Sequence, residues 1–231
     1  MSDFLELQTL HLIEKEETNW IEFNKVFSEE QSLRDLQKLM DYLEDYSSAK
    51  LIVFRNLDYL NQFLNSTDEF RNWEKVFDRL NRLRAVTIAV IRGVCMGLSF
   101  QLAISCDFRV ASSSSSLQSI EVKNGYLPGM IIFRLAKFIG IGIAKRILFM
   151  GLPYKVEDAF QIGLIDMIFS EIEEQSTIDK FIKSLLPVQP IAIQLTRRLL
   201  DESFANSYDE TIGHFIAAQY KCLNPPPKQN N

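Results

Sequence analysis

Histidine is nearly missing from this chain: there are two in 231 residues, His11 and His214. His11 falls in a strand-like pattern and His214 on a late helical one, and no GxSxG elbow accompanies them, so a Ser-His-Asp machine is excluded. The three cysteines, Cys95, Cys106 and Cys222, form no CxxC pair. Their number is odd and two lie in apolar runs, which fits buried thiols in a reducing cytoplasm rather than a disulfide framework. Metal-binding spacings are lacking too: there is no HExxH, no Cys/His cluster and no Asp-x-Asp loop. GxGxxG and GxxxxGK[ST] do not occur, and Gly140-x-Gly142 follows a helical pattern where a dinucleotide fold needs a strand. No apolar run reaches the ~18–20 residues that span a bilayer, so no membrane association is expected. Acidic residues come early at the N-terminus, with no long apolar core behind them, so no secretory signal is expected and the cytoplasm is the expected location. A basic surplus is also missing, with 25 Lys and Arg against 30 Asp and Glu, which argues against a nucleic-acid partner.

What the chain does have is a globular balance, 47% hydrophobic and 24% charged, in a length that builds one good-sized core. Its organising stretch is residues 86–112. An apolar run (86–91) ends at Arg92-Gly93 and reads as a strand buried on both faces. Gly97 then opens a short apolar helix over 98–105, and a second strand follows Asp107 over 108–111. A helix head placed after a buried strand offers unpaired N–H groups and a partial positive charge, suited to an oxyanion or a phosphate. The same spacing also fits a plain βαβ core unit.

Around that stretch, residues 7–13 and 20–23 flank a polar turn and predict a β-hairpin. Ser28-Glu29-Glu30-Gln31 is a capping-box pattern ahead of a helix whose face carries Leu33, Leu36, Met40 and Leu43. A short strand (51–54), a polar-aromatic loop (56–66) and a helix from Thr67 or Asp68 come next. Residues 112–116, five serines, read as a tight exposed turn, and 117–122 reads as a strand. Helical patterns follow at 131–139, 143–150 and 156–162, a short strand at 165–169, then helices at 172–186, 191–204 and 208–220. The expected organisation is an α/β core over 1–170, a helical region over 171–224 and a disordered tail over 225–231.

The chemistry available reduces to one carboxylate, one amide and the backbone. Glu121 closes an uncharged run just before Asn124-Gly125. A carboxylate in an apolar pocket has its pKa raised by desolvation and can exchange protons near neutrality; a solvated loop glutamate is the plain alternative. Gln101 is a polar residue one turn after Gly97, and a hydrogen-bonded core amide explains it equally well.

Taken together, three ordered blocks resemble the crotonase (enoyl-CoA hydratase/isomerase) superfamily: RGVCMGLSFQLAISCDFRVAS from Arg92, IEVKNGYLPG from Ile120, and the stretch from Phe149-Met150-Gly151 to Gly163-Leu164-Ile165. The resemblance covers residues 86–169. It implies a spiral of ββα units with a helical C-terminal trimerisation region, hence a homotrimer or dimer of trimers. It also implies a substrate joined as a thioester to coenzyme A or a carrier protein, and no cofactor beyond the coenzyme A of the substrate. In the family two backbone N–H groups grip the thioester oxygen, and such donors are each worth about 10²–10³ in rate. The resemblance places Gly97 and Leu98 at that oxygen, Glu121 and Gln101 as catalytic residues, and Tyr126, Pro128 and Gly129 along the substrate pocket.

The departures shape the expected activity. The family's glycine triplet is Gly97-Leu98-Ser99 here, and the loop that brings the first oxyanion donor has no glycine over 56–66; that donor is sought over 56–59. Hydratases of the family position water with two glutamates, and Gln101 replaces one of them. An amide orients water but cannot take its proton. Isomerisation through a thioester enolate, with Glu121 as the single acid and base, is therefore favoured over efficient hydration. The alternatives are a catalytically weak or inactive crotonase-fold binding or assembly partner, and a polyketide-pathway dehydratase or decarboxylase.

Overall fold

The computed structural model describes residues 6–25, 28–64 and 66–224. Its frame is a six-stranded sheet in the order β1-β2-β3-β4-β6-β9. The hairpin β1 (Leu10–Lys15) and β2 (Thr18–Phe23) is antiparallel. Then β3 (Leu51–Arg55), β4 (Val86–Ile91), β6 (Phe108–Ser112) and β9 (Met167–Phe169) join in parallel. A second sheet holds β5 (Val94–Met96), β7 (Ser116–Gln118) and β8 (Tyr154–Lys155). The helices are α1 (Glu29–Asp45), α2 (Thr67–Arg82), α3 (Leu98–Ser105), α4 (Ile131–Met150), α5 (Val156–Gln161), α6 (Glu174–Leu185), α7 (Pro190–Glu202) and α8 (Tyr208–Leu223).

The continuous apolar runs of β3 and β4 follow from burial on both faces. Ile52, Phe54, Ala89 and Ile91 pack with α1, α2 and α3 in one cluster. Leu51, Val53, Ile88 and Val90 pack with Ile178 and Ile182 of α6 in another. All eight residues of α3 are buried, as expected of a helix apolar all round.

Several sequence expectations are corrected. The strand expected over 117–122 ends at Gln118, and Glu121 instead opens a 3-10 turn, Val122–Asn124. The two helices expected at 131–139 and 143–150 are present within α4 and meet at Gly140, whose φ of 75° and ψ of 158° lie outside the helical region. The five serines are not wholly an exposed turn: Ser112 and Ser116 end and begin strands, and buried Ser115 donates to the Ile91 carbonyl at 3.2 Å. The expected loop 56–66 contains a 3-10 turn, Leu57–Leu60. The tail expected over 225–231 lies outside the described residues.

Buried charges tie the layers together. Arg109 is 1% exposed; its guanidinium donates to the carbonyls of Leu164 (2.6 Å) and Cys106 (2.9 Å) and to Asp166 (3.1 Å), and lies over the Phe138 ring. Arg197 of α7 clamps Asp107 from Nε at 2.7 Å and a terminal nitrogen at 2.6 Å, and donates to the Ala85 carbonyl at 3.0 Å. This fastens α7 to the chain just ahead of β4 and β6, two interior strands of the sheet. Buried Asp35 on α1 accepts from the Gln8 and Thr9 amides, both at 2.7 Å, and from the Thr9 hydroxyl and the Gln31 amide. Burial pushes its pKa up, but these hydrogen bonds outweigh that and hold it below the usual carboxylate value.

Two stability results are expected. Removing the Arg109 guanidinium takes from Asp166 its cationic partner, leaving it only the backbone N–H of residue 109, and takes a donor from the Leu164 and Cys106 carbonyls, so Arg109→Leu costs about 3–5 kcal/mol in urea unfolding. The depressed Asp35 pKa gives a stabilisation complete above the unfolded value of about 3.9 and lost as pH falls through the lower folded value. Unfolding midpoints measured from pH 6 downward should therefore fall less steeply for Asp35→Asn than for the wild type.

Candidate functional site

The site is built at the head of α3. Chain leaves β5 and turns sharply at Gly97, with φ 60° and ψ −130°, a backbone conformation glycine adopts without strain. A second constraint acts at the same residue. A Cβ there would lie 2.0 Å from the Gln62 carbonyl oxygen. That carbonyl accepts the Leu98 N–H at 2.8 Å. The amide expected to face a thioester oxygen is thus already bonded, to a carbonyl of the loop across from it.

That loop is held tightly. Asn61, with φ −70° and ψ 61°, forms an inverse γ-turn in which the Gln62 N–H donates to the Leu60 carbonyl at 2.7 Å. The Asn61 amide donates to the Val94 carbonyl at 2.6 Å, and its oxygen accepts the Met96 N–H at 3.1 Å and contacts the Ser99 hydroxyl. Leu60 and Leu64 are buried on either side. The first donor was sought over 56–59; the residues of this loop that lie against Gly97 are Gln62 and Phe63. The sequence signal for this contact is the amide pair Asn61-Gln62, set between Leu60 and the apolar pair Phe63-Leu64.

The acid and the amide stand on either side of a second segment. Glu121 is 4% exposed, and its Oε2 accepts from the buried Ser119 hydroxyl at 2.6 Å. Its own carbonyl accepts from the Asn124 and Tyr126 amides, closing the turn that sends the chain toward Pro128 and Gly129. Gly129, φ 65°, lies against Gln101: a Cβ there would meet Gln101 Oε1 at 2.6 Å. Gln101 is 4% exposed, and its side-chain amide has no hydrogen-bond partner among the described residues. Pro128 is buried and Tyr126 half-buried. The structure therefore joins Gln101 to the Pro128–Gly129 turn and Leu98 to the 61–63 loop, while among the described residues the side chain of Glu121 is bonded to Ser119 alone. Leu98 and Phe100 are packed into the core.

Other chemistry is weak. Burial pushes the Cys95 thiol up to about 12 and raises the Cys106 thiol as well, so neither is a ready nucleophile. His214 contacts Glu202 at 2.8 Å on the surface. No cluster of metal-ligating side chains occurs among the described residues, nor does any helix long and apolar enough to cross a membrane. One cavity of about 520 Å³ lies between α1, α2 and the starts of β3 and β4, and one of about 240 Å³ lies beside Arg92 and Glu174; neither touches Leu98, Gln101 or Glu121.

A parallel sheet continued by a short buried helix with a glycine at its head, and a carboxylate buried in the next connection, defines an α/β protein of the crotonase type. The enoyl-CoA hydratase/isomerase family model matches residues 58–225, and the chain belongs to that family. It is 28% identical over 151 residues to a short-chain-enoyl-CoA hydratase of Clostridium acetobutylicum, a match over 65% of this chain and 58% of that protein. It is 25% identical over 156 residues to a mitochondrial Delta(3,5)-Delta(2,4)-dienoyl-CoA isomerase of Dictyostelium discoideum, a match over 65% of this chain and 53% of that one. The chain thus spans little more than half the length of these relatives. Two solved structures share the fold across nearly the whole chain. Pseudomonas aeruginosa DspI aligns with a TM-score of 0.84 at 20% identity, covering 97% of this chain and 99% of that one. A Thermobifida fusca protein described as a putative enoyl-CoA hydratase in complex with CoA aligns at 0.80 and 21% identity, covering 94% and 93%.

Gly93 and Gly97 form a matched test of the crowding at the helix head. Both have φ near +60°, but nothing lies within 4 Å of a Cβ at Gly93. Gly93→Ala should cost about 1–2 kcal/mol for its backbone conformation alone. Gly97→Ala should cost about 1–3 kcal/mol more, for the clash with the Gln62 carbonyl. Urea denaturation of the two variants measures the difference.

Proposed function

We propose that this chain acts on acyl thioesters, of coenzyme A or a carrier protein, moving a proton through a thioester enolate with Glu121 as the only acid and base. Family membership and the burial of Glu121 beside a serine hydroxyl support this reading. The observation that carries it is the combination of that buried carboxylate with a glycine-led helix head, at the positions where the family's motifs place them.

The chemistry follows from the residues. Glu121 takes a proton alpha or gamma to the thioester carbonyl, electron density moves onto the oxygen, and the Leu98 amide stabilises the negative charge that develops there. Glu121 then returns the proton to a different carbon. Gln101, a neutral amide whose side chain has no hydrogen-bond partner among the described residues, holds a water or a substrate oxygen but accepts no proton from it. Double-bond isomerisation is therefore favoured over hydration. Tyr126, Pro128 and Gly129 border the acyl group, Gly129 being fixed by its contact with Gln101. Coenzyme A takes part as a portion of the substrate, and the reading needs no resident cofactor or metal.

In this reading the chain works in the cytoplasm as a homotrimer or dimer of trimers. Apolar side chains left exposed on α4 and α8, Phe149, Phe215, Ile216 and Tyr220 among them, supply the surface for such contacts. A second reading, a crotonase-fold binding or assembly partner without turnover, is favoured by one observation: the Leu98 amide is already bonded to Gln62.

Turnover separates the two. With a panel of short 2-enoyl and 3-enoyl-CoA esters, followed by the ultraviolet absorbance of the conjugated thioester, the wild type should interconvert the isomers, and Glu121→Gln should lose about 10²–10⁴-fold in kcat. Equal turnover by both proteins would move the chemistry away from Glu121, and no turnover by the wild type would favour the binding partner.

A further inference from the structure

The Leu98 amide is blocked by a single peptide group, the one between Gln62 and Phe63. The chain on either side of it is fixed. Asn61 is bonded to Val94, Met96 and Ser99, and Leu60 and Leu64 are buried. Between these points the Gln62 side chain is exposed, Phe63 is half-buried, and the Phe63 N–H has no hydrogen-bond partner among the described residues. The carbonyl of the same peptide points inward and holds the Leu98 N–H. Turning one peptide by half a revolution exchanges the directions of its carbonyl and its N–H while the chain path stays the same, because the change is confined to ψ of the preceding residue and φ of the following one.

We propose that the Gln62–Phe63 peptide is a two-position switch. With its carbonyl inward it occupies the Leu98 amide and the site is closed. With its N–H inward, Phe63 N–H and Leu98 N–H together hold the oxygen of an acyl thioester. The proposal rests on the acyl-thioester reading and adds what opens the site. Binding then includes the free energy of the turn, so affinity is reduced by the fraction of molecules in the open position.

The turn has a specific obstacle. Phe63 is not among the residues with positive φ, and the turned peptide moves its φ into the positive region, where every residue but glycine is strained. Glycine at 63 removes that strain. Alanine removes the same ring but keeps the strain, so the pair Phe63→Gly and Phe63→Ala isolates the turn from loss of the side chain. Proline at 63 fixes φ near −65° and deletes the N–H, which locks the closed position.

The test is titration calorimetry with acetoacetyl-CoA on the full chain, wild type and the three variants, each checked for a native unfolding transition. The expected result is that Phe63→Gly binds roughly tenfold tighter than Phe63→Ala and that Phe63→Pro binds more weakly than Phe63→Ala. Equal affinities of the glycine and alanine variants, with the wild type binding, would overturn the switch and leave the acyl-thioester reading standing. Binding by none of the four proteins would overturn both.

Discussion

A helix buried on every side has to satisfy the amides at its head from somewhere other than itself. In α3 no side chain caps the N-terminus, because the position before it is a glycine. The Leu98 N–H therefore draws a carbonyl from across the molecule, and the 61–63 loop is placed to supply it. This one hydrogen bond explains the glycine at 97, whose missing Cβ leaves room for the Gln62 oxygen, and the polar cluster of Asn61 and Ser99 that holds the loop in register. It also sets the functional question, since in the proposed reaction the same amide faces the thioester oxygen.

The remainder of the fold supports that helix head. The sheet gives it a rigid base, because β4 and β6 on either side of α3 are buried and paired in parallel. Asp107, just past the end of α3, is held by Thr87 of β4 and by Arg197 of α7, so the C-terminal helices brace the far end of the same unit. Arg109 reaches back to the Cys106 carbonyl and outward to Asp166. Of these charged groups Arg109 is buried and Asp107, Asp166 and Arg197 are partly buried, and their value lies in fixing position more than in adding stability.

The fold was largely legible in the sequence, for a physical reason. Strands buried on both faces write continuous apolar runs, and the runs at 51–54 and 86–91 became β3 and β4. Gly97 was legible as the start of a helix because a positive φ is where glycine is required. The break at Gly140 was legible too, since a glycine inside an apolar helical pattern permits the non-helical backbone that separates the two helices of α4. Residues 117–122 misled: once Leu117 faces the core, nothing in the pattern says that pairing stops at Gln118. Glu121 and Gln101 were identifiable as polar residues in apolar surroundings, and both are buried. The Gln62 carbonyl was not identifiable, because a backbone group carries no signature in the side chains around it.

The account stands on the Leu98 amide changing its acceptor from a loop carbonyl to a substrate carbonyl. A crystal structure with acetoacetyl-CoA bound tests this most directly. The account predicts the thioester oxygen about 2.7–3.1 Å from the Leu98 nitrogen, with the Gln62 oxygen turned away from it. A bound ligand lying elsewhere, with the Gln62 oxygen still on the Leu98 amide, would contradict it.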